Sequence, residues 1–396
     1  MARERSVAAV AAAGAALFLL CCLVAAGGPL GSAPYGDVHL YALYAHRMAA
    51  GQWPYGDFFD EYPPLAQPLF LVVHYLPGSY QSAFRWTMAI FGAAAVVLLV
   101  ASLASLGASR IRLAVGAAAA GVAPVLVGPV FLNAYDLWPA LLTAGALLAF
   151  VRRHERTAYV LLALAVAAKV YPVVLVPLVL VAAWERGGRD AVRRALVWIV
   201  GALVVVHLPF AIMGPGGLRY SYQVQLTRGL EVESLGGAIL LVLDHVGLYH
   251  ATLHEGTPGS TNVVGGLADA VGTISSLVSL AAVLLVAWLH RRRRDTLVAA
   301  AAAVVAFIAF AKVFSPQYVD WLVPLAPAAG AAASAGLLGV LALTHVVFDR
   351  FSAPNSGSAA YKAGLVWWVL GRDLLVLALY ALLVALLRRR PRSRTT

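Results

Sequence analysis

The stretch Val7–Ala26, VAAVAAAGAALFLLCCLVAA, decides the fold class. It carries no charge and no proline, and at 1.5 Å per residue a helix of about 20 residues crosses the ~30 Å hydrocarbon layer of a bilayer. Arg3 and Arg5 stand just before it. A secretory signal peptide has the same layout, but its apolar core runs only about 7–15 residues, so the stretch reads as an uncleaved first span. Cys21 and Cys22 are adjacent inside it and cannot build a long-range disulfide framework. Small apolar packing is the role expected of them.

Outward from this stretch the pattern repeats to the other end of the chain. Of 396 residues, 62% are hydrophobic and 12% charged, whereas a soluble domain carries about 25% charged residues. Spans are expected at roughly 80–106, 113–130, 136–151, 157–169, 171–184, 195–212, 264–289, 296–312, 317–332, 333–349 and 363–387, about twelve with the first. Leu65–Leu76 and Gly236–Leu248 are apolar but short, and read as re-entrant or interfacial helices. With no linker or short repeat between them, the segments form one all-α membrane domain over residues 1–396.

The net charge of +11 raises nucleic acid as a partner, but its distribution argues for a membrane. Arginines gather between apolar runs, at Arg110/Arg112, Arg152–Arg156, Arg186–Arg194, Arg291–Arg294 and Arg388–Arg394, as the positive-inside rule requires of cytoplasmic loops. With both termini inside, every cluster falls on the cytoplasmic face. An Ala- and Arg-rich composition is associated with bacterial genomes of high GC content, so a bacterial plasma membrane is the expected home.

The outer segments hold the polar chemistry. The first, 27–79, contains Asp37, Asp57, Asp60 and Glu61 against a single basic Lys or Arg residue, Arg47, out of 18 acids in the whole chain. Tyr41, Trp53, Tyr55 and Tyr62 are interleaved with them, which suits both the membrane interface and stacking on sugar rings. Asp37 precedes the helix-favouring run Val38–Ala50, so it reads as a helix N-cap, as a general base for an acceptor hydroxyl, or as both. Asn133-Ala-Tyr-Asp136 places another carboxylate at an outer helix end, where it caps, meets substrate or pairs with a lysine. The hairpin between Arg156 and Glu185 leaves about fourteen residues per arm, or roughly 20 Å. Its apex, Lys169 to Pro172, is therefore expected below the outer surface, where a lysine needs water or an anion unless it snorkels outward. Lys312, Arg350 and Lys362 also sit at outer helix ends. The segment Lys312-Val-Phe-Ser-Pro-Gln-Tyr318 adds an amide, Gln317, and a phenol, Tyr318. His345 reads as a packed, hydrogen-bonded side chain or as a polar contact to substrate.

P-loop, nucleophile-elbow and zinc-helix motifs are absent from the sequence. A required metal is not expected, although Asp57, Asp60 and Glu61 are close in sequence.

Five segments taken in order resemble glycosyltransferase family 87, the polytopic mannosyltransferases of phosphatidylinositol-mannoside assembly with the GT-C fold. They are Gly36-Asp37-Val-x-Leu-Tyr41, Tyr55-x-Asp-Phe-x-x-Glu61-Tyr-Pro-Pro64, Asn133-x-Tyr-Asp136-x-x-Pro-Ala-Leu-Leu142, Lys169-x-Tyr-Pro172 and Lys312-x-Phe-Ser-Pro-Gln-Tyr318. The resemblance implies sugar transfer on the extracytoplasmic face, from a polyprenyl-phosphate sugar, usually mannose, to a glycolipid. Asp37 is the position that looks like the family's catalytic aspartate, with Lys169, Lys312 and Arg350 for the donor phosphate. Tyr41, Glu61, Tyr62, Asp136, Gln317, Tyr318 and His345 are then expected around the substrate, with no cofactor beyond the lipid-linked sugar. Arabinofuranose is an alternative sugar. A sugar-lipid transporter and a non-catalytic scaffold are the rival classes, and neither accounts as well for the acidic, aromatic first loop.

Overall fold

A computed structural model describes residues 2–27, 36–128, 130–256, 260–293, 295–351 and 360–389. The chain opens with α1 (Ala2–Gly27), then the short helices α2 (Val38–Ala49) and α3 (Ala66–His74). Next come α4 (Tyr80–Ser105), α5 (Arg110–Gly121), α6 (Ala123–Val127), α7 (Val130–Asn133), α8 (Leu137–Val151), α9 (Glu155–Ala168) and α10 (Val176–Met213). After α11 (Pro215–Leu226) come β1 (Leu230–Glu231), α12 (Leu235–His245), β2 (Thr252–Gly256) and β3 (Ser260–Val264). The chain then runs through α13 (Gly266–Arg293), α14 (Thr296–Phe310), α15 (Ala331–Phe351) and α16 (Val366–Arg388).

Seven helices among the described residues are long and apolar enough to cross a membrane, counting the 43-residue run Tyr171–Met213 as one. That run is broken. Gly187 and Gly188 leave helical geometry, and Gly188 adopts φ +58°, a backbone that glycine reaches without strain. The expected arms 171–184 and 195–212 thus flank an elbow. Side-chain caps start several helices: the Ser79 and Ser109 hydroxyls accept from Ser82 and Arg112 backbone N–H at 3.3 Å, replacing donors the first turn leaves unpaired.

One expected span is not an α-helix. The segment 317–332 forms no spanning helix; it folds as 3-10 turns at Pro316–Leu322 and Ala326–Ala329. Pro316, Pro324 and Pro327 remove backbone donors and clash with a continuing α-helix, and the turns lie in the protein interior with Trp321, Leu322 and Ala326 at most 1% exposed. The bundle is otherwise the all-α membrane architecture expected, with one small addition outside the helices. A small antiparallel sheet of order β1-β3-β2 pairs Leu230 with Val263 and Thr252 with Val264.

Hydrogen bonds define two ends of the bundle. At one, Arg152 Nε reaches Ser105 Oγ at 3.2 Å and Arg186 pairs with Glu155 at 2.7 Å, so the arginine-rich turns gather together. At the other, Leu65 N–H donates to the Ala167 carbonyl at 3.0 Å and Arg85 Nε to Asn133 Oδ1 at 2.8 Å. The second end carries the acidic loop.

Candidate active site

Asp37 occupies the N-cap position of α2, and its carbonyl accepts from Tyr41 N–H at 2.9 Å. Its side chain makes no capping bond. Instead Oδ2 accepts from the Tyr62 hydroxyl at 2.9 Å, so the carboxylate is turned toward the aromatic loop. Gly36 makes this placement possible. Its φ of +108° and the 2.5 Å that would separate an added Cβ from Asn133 Cβ leave room for glycine alone, which lays Gly36–Asp37 directly on the Asn133–Asp136 segment.

Around Asp37 the rings form a cage. Tyr62 meets Tyr41 at 5.2 Å and Tyr135 at 5.3 Å, both edge to face, and Tyr41 stacks on Phe70 at 4.5 Å. Such geometries satisfy the ring quadrupoles and hold the cage rigid. The loop that supplies Tyr62 is itself fixed. Trp53 N–H donates to Asp57 Oδ2 at 2.6 Å, Tyr62 N–H donates to Asp60 Oδ1 at 2.8 Å, and the Tyr55 hydroxyl donates to the Tyr62 carbonyl. Asp57 and Asp60 therefore build turns, while Glu61 faces the cage.

Beneath the cage, Lys169 bridges both oxygens of Asp136 at 2.7 and 2.8 Å. The Trp321 indole donates to Asp136 Oδ1 at 2.6 Å, and Lys169 Nζ lies 4.6 Å above the Tyr135 ring. Of the three roles open to Asp136, pairing with a lysine is seen and the α8 cap is not. Lys169 faces inward rather than snorkelling. Tyr318 stacks on Trp321 at 4.1 Å, and Tyr171 stacks on its ring at 3.9 Å.

A second cation closes the side. Arg228 pairs with Glu231 at 3.1 Å, and Glu231 in turn accepts from Phe314 N–H at 2.8 Å. Glu61 feels this environment: burial, then the charge of Asp37, push its carboxyl up to about 7 against the pull of Arg228 and Lys169. Asp60 is also raised to about 7, chiefly by burial. Burial raises Glu231 to about 6, with Arg228 opposing.

The other expected residues lie elsewhere. Lys312 donates to the Leu226 carbonyl at 3.0 Å, at the rim. His345 Nδ1 bonds the Leu126 carbonyl at 3.1 Å and packs on Gly128, the packed alternative of the two. Gln317 is half-buried in the 3-10 turn. The Arg350 side chain falls outside the described residues. Lys362 donates to the Ala251 carbonyl at 2.7 Å.

Sequence reasoning passed over Tyr135, Trp321 and Asp320. Asp320 is fully buried, and neither carboxylate oxygen has a hydrogen-bond partner among the described residues. It also overlooked a brace behind the site. Arg372, fully buried, donates to Glu233 Oε2 at 3.1 Å and Asp373 Oδ1 at 3.0 Å and lies 3.8 Å over the Phe314 ring. The signal was present, since an adjacent Arg-Asp pair inside an apolar run marks a functional or structural polar contact.

Fold and cluster together define a multi-pass membrane protein with a rigid, aromatic-lined acidic site at one end. Residues 59–316 match the model of glycosyltransferase family 87, more than half of the 396 residues, and the chain belongs to that family. It is a glycosyltransferase. The matched region includes Glu61, Tyr62, Asp136, Lys169 and Lys312, and Asp37 precedes it. A comparison with curated proteins finds no match.

Proposed function

We propose that the protein transfers a sugar, mannose first among candidates, from a polyprenyl-phosphate donor to a glycolipid hydroxyl on the extracytoplasmic face of a bacterial plasma membrane. Asp37 is the general base. It takes the acceptor hydroxyl proton as that oxygen attacks the anomeric carbon, and the carbon–oxygen bond to phosphate breaks with inversion. Tyr62 aims the carboxylate through the 2.9 Å hydrogen bond. Lys169 is committed to Asp136 and Arg228 to Glu231, so the rim lysine Lys312, which bonds only a backbone carbonyl, is better placed for the departing phosphate, whose charge needs donors. Tyr41, Tyr62 and Tyr135 offer ring faces to sugars. The bundle takes the GT-C form, the shorter helices α8, α9 and α14 crossing with the seven long runs, of which Tyr171–Met213 crosses twice about its elbow.

The observation that carries this reading is the orientation of Asp37, uncommitted to helix capping and turned into the tyrosine cage. Purified protein in liposomes, given radiolabelled polyprenyl-phosphate-mannose and a panel of glycolipid acceptors, tests it, with and without a chelator. Labelled glycolipid from wild type and none from folded Asp37→Asn is the expected result. Normal turnover by Asp37→Asn would remove Asp37 from the mechanism. Wild-type transfer only from another polyprenyl-phosphate sugar would reassign the donor.

A further inference from the structure

The elbow at Gly187–Gly188 opens a groove of about 550 Å³ at the end of the bundle opposite the acidic site. Trp184 lines it from the first arm of α10; Arg189, Arg193, Leu196, Val197 and Val200 line it from the second. Only 6% of the apolar window of this run is buried within the protein, and among the described residues the groove is lined by α10 alone.

Its residues are ordered by chemistry along one helix face. Arg189 and Arg193 are four apart, hence stacked on the same side, and the apolar wall continues from Leu196 to Gly201. At 1.5 Å per residue, Arg189 to Gly201 spans ~18 Å, slightly more than the ~15 Å of hydrocarbon in one leaflet. Gly201 has nothing within 4 Å of an added Cβ, so the wall is thin where a chain would lie. Trp184 is half-exposed at the head of the groove, the depth at which indoles anchor.

Charges at the elbow are not equivalent. Arg186 is neutralised by Glu155 at 2.7 Å, and Arg156, on the neighbouring turn, is spread 3.8 Å over the Trp198 ring. Arg189 and Arg193 have no ion pair or hydrogen bond among the described residues. Arg194 is likewise without one among the described residues, and of these three only Arg189 and Arg193 line the groove. Between 185 and 194 four arginines stand against two acids, Glu185 and Asp190, so the site is net positive.

We infer that this groove is a binding site for an anionic phospholipid of the leaflet facing that end, its phosphate held by Arg189 and Arg193 and one acyl chain lying along Leu196–Gly201. Guanidinium forks match phosphate oxygens in pairs, and the apolar wall supplies what a soluble anion would not use.

Native mass spectrometry of the purified protein with phosphatidylglycerol and phosphatidylcholine of matched chains tests the site. Wild type is expected to retain phosphatidylglycerol in preference. Arg189→Gln with Arg193→Gln should lose that preference by about 30-fold, from two basic contacts of ordinary strength. Arg110→Gln with Arg153→Gln removes the same charge at the same end and should keep it. Gly201→Leu, which fills the wall, should weaken retention of both lipids without shifting the melting temperature. Equal retention by wild type and the Arg189/Arg193 variant overturns the inference. So does equal loss in both double variants, which would mean diffuse attraction, or a stable dimer that covers the groove in lipid-free protein.

Discussion

Asp136→Asn and Lys169→Met, made singly and together, report how the floor of the site is held. The ammonium touches both carboxylate oxygens, at 2.7 and 2.8 Å, and the Trp321 indole adds a third bond at 2.6 Å. The Asp136 side chain is 1% exposed and that of Lys169 18%, so neither charge is rehydrated when its partner goes. Breaking a buried pair from one side costs about 3–5 kcal/mol, because a bare charge remains. With both charges gone that penalty disappears, and the double variant should recover about 2 kcal/mol relative to the sum of the singles. Thermal and denaturant unfolding of purified protein in one detergent gives the cycle. Salt should change it little, since buried pairs are weakly screened. Losses that add to within about 0.5 kcal/mol would refute the coupled floor and return Lys169 to interface anchoring.

Three further outcomes are expected. Tyr62→Phe keeps the ring and loses the bond to Asp37; a charged hydrogen bond of about 1.5–3 kcal/mol translates into roughly a 10- to 100-fold lower kcat, measured as labelled product per time, with donor KM unchanged. Glu61 has its pKa raised from 4.5 to about 7, so its ionisation works against the fold: stability is fully present below 4.5 and lost as pH rises through about 7, by up to about 3 kcal/mol. Glu61→Gln should melt higher than wild type above that window and equal to it below, in a pH series of melting temperatures. Gly36→Ala meets Asn133 at 2.5 Å and a left-handed backbone, whereas Gly51→Ala, at φ +86°, meets nothing within 4 Å. Both carry the strain of about 1–3 kcal/mol, but only Gly36→Ala should also displace Asp37 and lower transfer, a split that activity and melting measured together would show.

Much of this was legible because each motif states one residue's chemistry. Asp37 stood out by its Gly-Asp turn before a helix, and Lys169 by a hairpin too short to reach the surface. Which of them meet was not legible. The pairing of Asp136 with Lys169 joins positions 33 residues apart, and spacing left capping, substrate contact and pairing equally open. Trp321 escaped notice because aromatic residues in apolar runs carry no local sign of a polar partner. The segment 317–332 misled for a related reason. Hydropathy records that side chains avoid water, and it is silent on whether the backbone is helical. Pro324 and Pro327 were the better guide, since buried non-helical backbone at membrane depth is tolerated inside protein. The β2–β3 pairing lay hidden in a mixed stretch with neither strong alternation nor strong apolarity.

From Ala299 to Ala306, α14 has every residue fully buried. Lipid tails solvate an alanine methyl as well as protein does, so enclosing this column releases little water; close van der Waals contact holds it. The large heat-capacity change that curves the stability of water-folded proteins comes from hydrating apolar surface, and this core exchanges lipid for protein instead. A flatter dependence of stability on temperature than a water-driven core shows is therefore the expected outcome, checked by melting the protein in one detergent over a wide temperature range. Chilling loosens a water-driven core; a core held by contact rather than by water should keep its packing in the cold.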